Sequence, residues 1–532
     1  MSQRFILLLL CSILLSCGQK DAKKQTQVKR DKYIYTIKKK ENSHWWMGLI
    51  GQGQKMPFNE DLEFDTYGNN FGNQVQPLLL SDDGDVIWSE APLRIKNSEE
   101  ELIVLSSDKI KVNKANSNLK EAYLFASKNY FPPSGKMPDE LLFTSPQYNT
   151  WIELMYDQNQ EDILKYAHAI KKNNFPAGVL MIDDNWQEDY GKWNFHQGRF
   201  SDPKAMMDEL HQMGFKVMLW VCPFVSPDCD VYRDLKNKGC FLKTKSGEIA
   251  MVKWWNGVSA LLDLSKPDAQ KWFKDRLQAL VDEYGVDGFK LDAGDAHFYT
   301  GDIELNGLTP NDHTQLYGEI GLDFPLNEYR AMWKMGGQPL AERLHDKNHS
   351  WDHLNMLIPQ MLVEGIMGYP FSCPDMIGGG QFVSFLDGAK IDQELIVRSA
   401  QCHALMPMMQ FSVAPWRVLD KTHLQAVKKA IDIRQKYKGY ILQLAKNAAT
   451  TGEPIMRPME YNYPKQGFAE VKDQFMLGNR ILVAPVLDKG ARKRSVKLPK
   501  GKWQLSSGKT IEGGKIIELD VALSDLLYLE KM

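Results

Sequence analysis

The 532-residue chain has almost no net charge: 65 Lys and Arg against 67 Asp and Glu leave -2. No electrostatic case for nucleic acid follows from that balance, so none is expected as a partner. Cysteine is scarce, with seven at positions 11, 17, 222, 229, 240, 373 and 402. None of their spacings resembles a zinc site, and His345 and His349 lack further partners at ligand spacing, so neither metal nor cofactor is expected. A Gly-rich dinucleotide loop is missing too, which weighs against a doubly wound nucleotide-binding sheet. The apolar run Phe5 to Leu15 is too short to span a bilayer as a stable helix.

That run follows Arg4 and ends in Leu14-Leu15-Ser16-Cys17-Gly18, which resembles a bacterial lipoprotein signal cleaved before a lipid-bearing Cys17. Residues 1–17 are therefore expected to be a signal, and the polar residues 18–32 a tether. The mature protein is expected in the bacterial cell envelope, periplasmic or surface-exposed, touching a membrane only through the lipid. Five cysteines then remain, an odd number that requires a free thiol or an intermolecular bridge. Cys222, Cys229 and Cys240 are close enough in sequence for one loop disulfide in an oxidising compartment.

Fourteen Trp and twenty Tyr supply flat faces of the kind that suit sugar rings. Residues 33–137 alternate in strand fashion, as in Tyr33-Ile-Tyr-Thr-Ile and Leu102-Ile-Val-Leu, and predict an N-terminal antiparallel β-sandwich. The run beginning Trp45-Trp46-Met-Gly-Leu-Ile-Gly could serve as a loop to a barrel mouth or as inter-domain packing. Over 138–446 strands alternate with helices: Thr150 to Leu154, Gly178 to Ile182, Lys216 to Val221, Tyr284 to Leu291, Gln338-Pro-Leu, Gly368 to Phe371 and Gln410 to Val413 read as strands. About eight such units predict an α/β fold, a (β/α)8 TIM barrel. Residues 447–532 return to strand patterns and predict a small C-terminal β-domain.

Acidic residues recur at strand ends. Gly288-Phe-Lys-Leu-Asp-Ala-Gly-Asp295 places Asp292 where a strand stops, with Ala293 and Gly294 allowing the chain to bend and leave the carboxylate uncovered. The plain alternative is an Asp that caps the next helix. Asp183 and Asp184 close another strand, Asp375 follows Cys373-Pro374, and Asp346 lies just before the Trp351 helix. Several carboxylates at one barrel mouth suggest glycoside hydrolysis, where one attacks the sugar and another donates a proton. A cation should sit near the attacker, and Lys290 shares a strand face with Asp292.

Taken in order, Ile182-Asp-Asp with Trp186, Leu219-Trp-Val-Cys-Pro-Phe, Trp254-Trp255-Asn-Gly, Gly288-Phe-Lys-Leu-Asp and Pro374-Asp-Met-Ile-Gly-Gly resemble glycoside hydrolase family 31 over nearly the whole mature length. The resemblance implies that Asp292 is the nucleophile and Asp346 the acid/base of a retaining double displacement. It implies that Arg330, sixteen positions before Asp346, contacts the sugar at the cleavage point, and that Asp184, Trp255 and Asp375 belong to the same pocket. Asp183, Trp186 and Trp220 are further expected contacts.

The α-glucosidases of that family carry Trp-x-Asp-Met-Asn-Glu where this chain has Lys-Leu-Asp-Ala-Gly-Asp. The difference resembles the subgroup of the myogenesis-regulating glycosidase and bacterial α-galactosidases. It implies that Lys290 bonds a sugar hydroxyl and that terminal α-galactosides of oligosaccharides are the substrates. An α-glucosidase, an α-xylosidase, a transglycosylase and a non-catalytic glycan-binding lipoprotein remain alternatives.

Overall fold

The computed structural model describes residues 31–58, 60–386 and 388–532. The expected signal segment, Cys17 and nearly all of the expected tether lie outside the described residues. The strands of the central barrel are β1 (Gln147–Asn149), β2 (Val179–Ile182), β3 (Lys216–Val221), β4 (Gly288–Leu291), β5 (Leu326–Tyr329), β6 (Glu342–Arg343), β7 (Ser372–Cys373) and β8 (Gln410–Phe411). They pair in the order β7-β6-β5-β4-β3-β2-β1-β8, every neighbouring pair parallel. A parallel bridge from Met376 to Gln410 closes the ring between β7 and β8. Strands such as Val179-Leu-Met-Ile are buried on both faces, because helices cover the outside and side chains fill the inside.

Among the described residues, seven helices of ten or more residues pack around the strands: α1 (Gln160–Lys172), α2 (Pro203–Gln212), α3 (Pro267–Tyr284), α4 (Pro310–Ile320), α5 (Trp351–Ile366), α6 (Gln393–Ala404) and α7 (Lys421–Thr451). Their starts are written locally. Asn159 and Asp202 cap α1 and α2 through their side chains, and Thr309 with Asp312 forms a reciprocal capping box on α4. No helix joins β5 to β6. That segment instead lends Met332–Trp333 to the N-terminal sheet, parallel to Gln74 and Val75.

Three expected strands move. Thr150 to Leu154 is not β1: the strand ends at Asn149, whose side chain accepts the Trp151 N–H at 2.8 Å and turns the chain into a short helix, Trp151–Leu154. Gln338-Pro-Leu is loop, and the flanking strands are β5 and β6. Leu326-Asn-Glu-Tyr escapes a hydrophobic reading because Asn327 and Glu328 are buried polar residues. Asn327 donates to the Phe324 carbonyl at 2.8 Å and accepts the Ala341 N–H at 2.9 Å. The strand expected at 368–371 begins at Ser372. The five described cysteines are all free and buried, with no disulfide among Cys222, Cys229 and Cys240.

The N-terminal region forms two antiparallel sheets and carries the helix Leu119–Tyr130. Its Trp45–Leu49 strand is buried, and the turn after it packs on α5. The Gln360 side chain donates to the Gly51 carbonyl at 3.2 Å, and a Cβ at Gly53 would lie 2.7 Å from Gln360 Cα. Of the two readings of that run, inter-domain packing holds. The helix α7 runs past the expected boundary at 446, and strands from Met456 onward build a six-stranded sheet with a separate antiparallel pair, Lys493–Leu498 against Lys515–Asp520.

Candidate active site

Asp292 follows the last residue of β4, at the C-terminal rim of the barrel. Its own N–H is held by the Val221 carbonyl at 2.9 Å, and its carbonyl accepts from the Tyr317 hydroxyl at 3.1 Å. The chain then turns through two left-handed residues, Ala293 (φ +57°) and Gly294 (φ +71°). At Gly294 a Cβ would meet the Tyr317 ring at 2.4 Å, so only glycine fits. The side chain is left facing a cavity and caps no helix; the short helical turn that follows begins after Asp295.

Two donors grip the Asp292 carboxylate. Arg330 Nε reaches Oδ1 at 2.9 Å and Trp220 Nε1 reaches Oδ2 at 3.1 Å. Burial by itself would push this carboxyl up, but Arg330, then Lys290 and Arg343, with the Trp220 bond, hold it well below the ordinary range. Such a grip favours the ionised form of the carboxylate. Arg330 is fixed in turn by Asp295, to which it donates twice, and by the Gly72 carbonyl at 3.1 Å. Gly72 and Asn70, which bonds Asp295 at 3.1 Å, bring the N-terminal domain to the rim.

Asp346 faces the same cavity from the loop after β6. Arg343 Nη1 binds its Oδ1 at 2.8 Å and the Asp375 Oδ1 at 2.6 Å, while Arg343 Nε stands 3.2 Å from Glu328. One buried guanidinium thus ties three carboxyls together. Burial pushes Asp375 up to about 6; Arg343 opposes this, and Asp346 adds to it. Gly380 lies against both aspartates: a Cβ there would fall 2.9 Å from Oδ1 of each. His345, whose Nδ1 contacts Asn73 Oδ1 at 2.5 Å, is kept neutral by burial and by Lys347 and Arg330.

The far wall carries Asp183, Asp184 and Lys290. Lys290 Nζ donates to Asp183 Oδ2 at 2.6 Å, with both side chains about 95% buried. Asp184 accepts from Asn256 and from the Tyr190 hydroxyl, and burial plus the neighbouring Asp183 push it up to about 7. The cavity, open on one side, has a volume of about 520 Å³, within the usual size of a small-ligand site. Its walls include Asp183, Asp184, Trp220, Trp255, Lys290, Asp292, Arg330 and Asp346.

Two expected contacts do not reach it. Trp186 is fully buried behind the wall, donating to the Trp220 carbonyl at 2.8 Å and packing on Phe195, so it positions Trp220. Asp375 sits behind Asp346 and accepts the Lys347 N–H at 2.8 Å. Trp254 lines the cavity and lies parallel to Trp220. Sequence reasoning missed Asp295, which stood inside the segment Gly288 to Asp295, and the aromatic rim of Trp151, Tyr156, Phe298 and Phe382. The spacing of Asp295 three after Asp292 was the available signal; the rim residues carry none.

Known proteins share this fold. The family model for the glycosyl hydrolases family 31 TIM-barrel domain matches residues 142–444, and that for the family's C-terminal domain matches 452–529. The chain is 32% identical to the myogenesis-regulating glycosidase of Mus musculus over 77% of its own length and 60% of the relative's. It is 25% identical to α-glucosidase 2 of Bacillus thermoamyloliquefaciens, over 67% of this chain and 48% of that one. It therefore spans about half to three-fifths of these curated relatives. Among solved structures, a dextranase of Flavobacterium johnsoniae complexed with glucose superposes with a TM-score of 0.82 at 19% identity, covering 94% of this chain and 66% of that one. An α-xylosidase from a soil metagenome complexed with xylose gives 0.81 at 21%, covering 94% and 79%.

Proposed function

The chain belongs to glycosyl hydrolase family 31, and from that premise we propose that it hydrolyses terminal α-glycosides by double displacement with net retention. The observation that carries the reading is Asp292: a carboxylate uncovered at a strand end, kept ionised by Arg330 and Trp220, across one cavity from a second carboxyl, Asp346. In the first step an Asp292 oxygen attacks the anomeric carbon as the bond to the leaving oxygen breaks, and Asp346 gives that oxygen its proton. Water then attacks the same carbon, Asp346 takes a proton from it, and Asp292 is released. Arg330 would hold Asp292 in place through both steps, and Trp220 would aim its second oxygen.

The preferred glycone in this proposal is α-galactose. Lys290 stands where the α-glucosidases carry Trp, and Asp183 occupies one of its three donor directions. The others would serve an axial hydroxyl. The relationship to the myogenesis-regulating glycosidase supports a subgroup apart from the α-glucosidases, while relatives named α-glucosidase and α-xylosidase keep those glycones in view. A panel of nitrophenyl α-glycosides tests this directly. The α-galactoside should give the highest kcat/KM and release α-galactose as the first anomer by NMR. A far faster α-glucoside would end the galactoside reading, and hydrolysis unchanged in Asp292→Asn would end the catalytic one.

A further inference from the structure

The cavity has two chemically different halves. Inward, Asp183, Asp184, Lys290 and Arg330 are buried polar groups, each fixed by at least one ion pair or hydrogen bond. Such convergent, immobile donors and acceptors read the hydroxyls of one sugar. Outward, where the lining becomes exposed, the walls are aromatic. Trp151, Tyr156 and Phe382 come from the loops after β1 and β7 and meet edge to face at 5.2–6.4 Å. Facing them, Trp255 sits at the tip of the hairpin Met251–Leu261, with Phe298 at 6.0 Å and the Arg330 guanidinium 5.7 Å from its ring.

The outer polar residues are of another kind. Lys253, His297 and Gln381 line this half, and none of their side chains is held by a hydrogen bond among the described residues. A second sugar could lie on these rings, but it would also need its hydroxyls read by fixed groups, and this half offers almost none.

Apolar surface continues beyond the cavity. Six of the fourteen exposed large hydrophobic residues described lie on the same rim segments: Tyr156, Met251, Trp255, Val258, Val383 and Leu386, each 39–55% exposed. Exposed apolar residues on the segments that frame a cavity add apolar surface to its approach. The hairpin that carries Trp255 is anchored rather than loose, because Asn256 donates to Asp184 and Trp254 packs on Tyr190 at 4.7 Å.

We infer that the leaving-group half of the site takes an apolar aglycone, an alkyl chain or aryl group, so that the substrates are α-glycosides of hydrophobic alcohols rather than of a second sugar. The inference rests on the functional reading above. It assigns Trp151, Phe382 and Trp255 as specificity-determining residues for the part of the substrate that departs as an alcohol, carrying the proton from Asp346.

The test is a homologous series of methyl, butyl and octyl α-glycosides of the sugar preferred in the nitrophenyl panel, with a phenyl glycoside and a disaccharide of the same glycone. Expected is a kcat/KM that rises with chain length, by at most about fourfold per methylene while the cleft fills. The octyl glycoside should exceed the disaccharide at least tenfold. Phe382→Ala and Trp255→Ala should each flatten that slope while the thermal midpoint stays within a few degrees of wild type. An advantage limited to the phenyl glycoside would also support the inference and assign the cleft to flat aryl groups. Equal rates for methyl and octyl with a faster disaccharide would overturn it while leaving the glycosidase reading intact. No turnover of any member, with Asp292→Asn indistinguishable from wild type, would overturn both.

Discussion

Arg330→Met removes the cation nearest Asp292 and keeps much of the side chain's bulk, so it isolates the electrostatic part of the site. Arg330 Nε is 2.9 Å from Asp292 Oδ1. At a contact near 4 Å and an effective dielectric of 20, a unit charge pair is worth about 4 kcal/mol, or about a thousandfold in proton affinity. Burial then acts on Asp292 with only Lys290, Arg343 and Trp220 opposing it. The carboxyl should climb from well below its ordinary range back into it. Measured as kcat/KM against pH, an acid limb should appear in the variant between about pH 3 and 5, where the wild type shows none from this group. The variant also strands Asp295, which is 1% exposed, and breaking such a buried pair costs about 3–5 kcal/mol. Because the Asp292 carboxyl is depressed in the native state, its stabilising contribution is complete above the unfolded value and fades as pH falls toward the native one. The stability deficit of Arg330→Met should therefore be largest near neutrality and narrow in acid. Adding Asp295→Asn should recover much of the stability while leaving the new acid limb in place. Identical acid profiles in wild type and both variants would refute the assignment of Arg330 as the group that keeps Asp292 ionised.

Asp346→Ala should lower kcat/KM for alkyl glycosides by about 10²–10⁴-fold and for nitrophenyl glycosides much less, since that leaving group needs little proton assistance; equal losses would count against a proton-donor role. Gly380→Ala should push Asp346 and Asp375 off Arg343, costing about 1–3 kcal/mol and at least tenfold in kcat, both read on one purified sample by thermal melting and initial rates. Lys290→Met alone leaves Asp183 buried without its cation and should cost about 3–5 kcal/mol, whereas Lys290→Met with Asp183→Asn should regain most of that stability but not the activity. Asp184, held near 7 by burial and Asp183, changes from protonated to ionised as pH rises through that value. The KM of the wild type should shift there, and the KM of Asp184→Asn should stay flat.

The strand pattern of the barrel was readable where strands are apolar on both faces, as at Val179–Ile182 and Lys216–Val221. It failed at β5, where Asn327 and Glu328 are buried by partners from distant segments, and at β1, where an Asn side chain ends the strand. The uncovered Asp292 was legible from Asp-Ala-Gly because the bend needs small residues in left-handed conformations, and φ of +57° and +71° are what those residues supply. Asp375 and Trp186 could not be sorted in the same way. Both sit in strand-end motifs, yet each points behind the cavity wall, and direction at a strand end depends on neighbours rather than on local spacing.

The sequence by itself determined the layered α/β architecture, the strand-end position of Asp292 and the set of acidic residues gathered at one mouth. Those follow from periodicity, turn chemistry and the geometry common to parallel barrels. Only the tertiary structure decided which cation belongs to which carboxylate: Arg330 bridging Asp292 to Asp295, Arg343 joining Asp346 to Asp375, and Lys290 committed to Asp183. It also decided that the aromatic residues of three separate loops form one rim. The physical reason is that charge pairing and cavity walls depend on distances of a few ångströms between residues tens to hundreds of positions apart. Local propensity does not encode such distances, and barrel closure sets them.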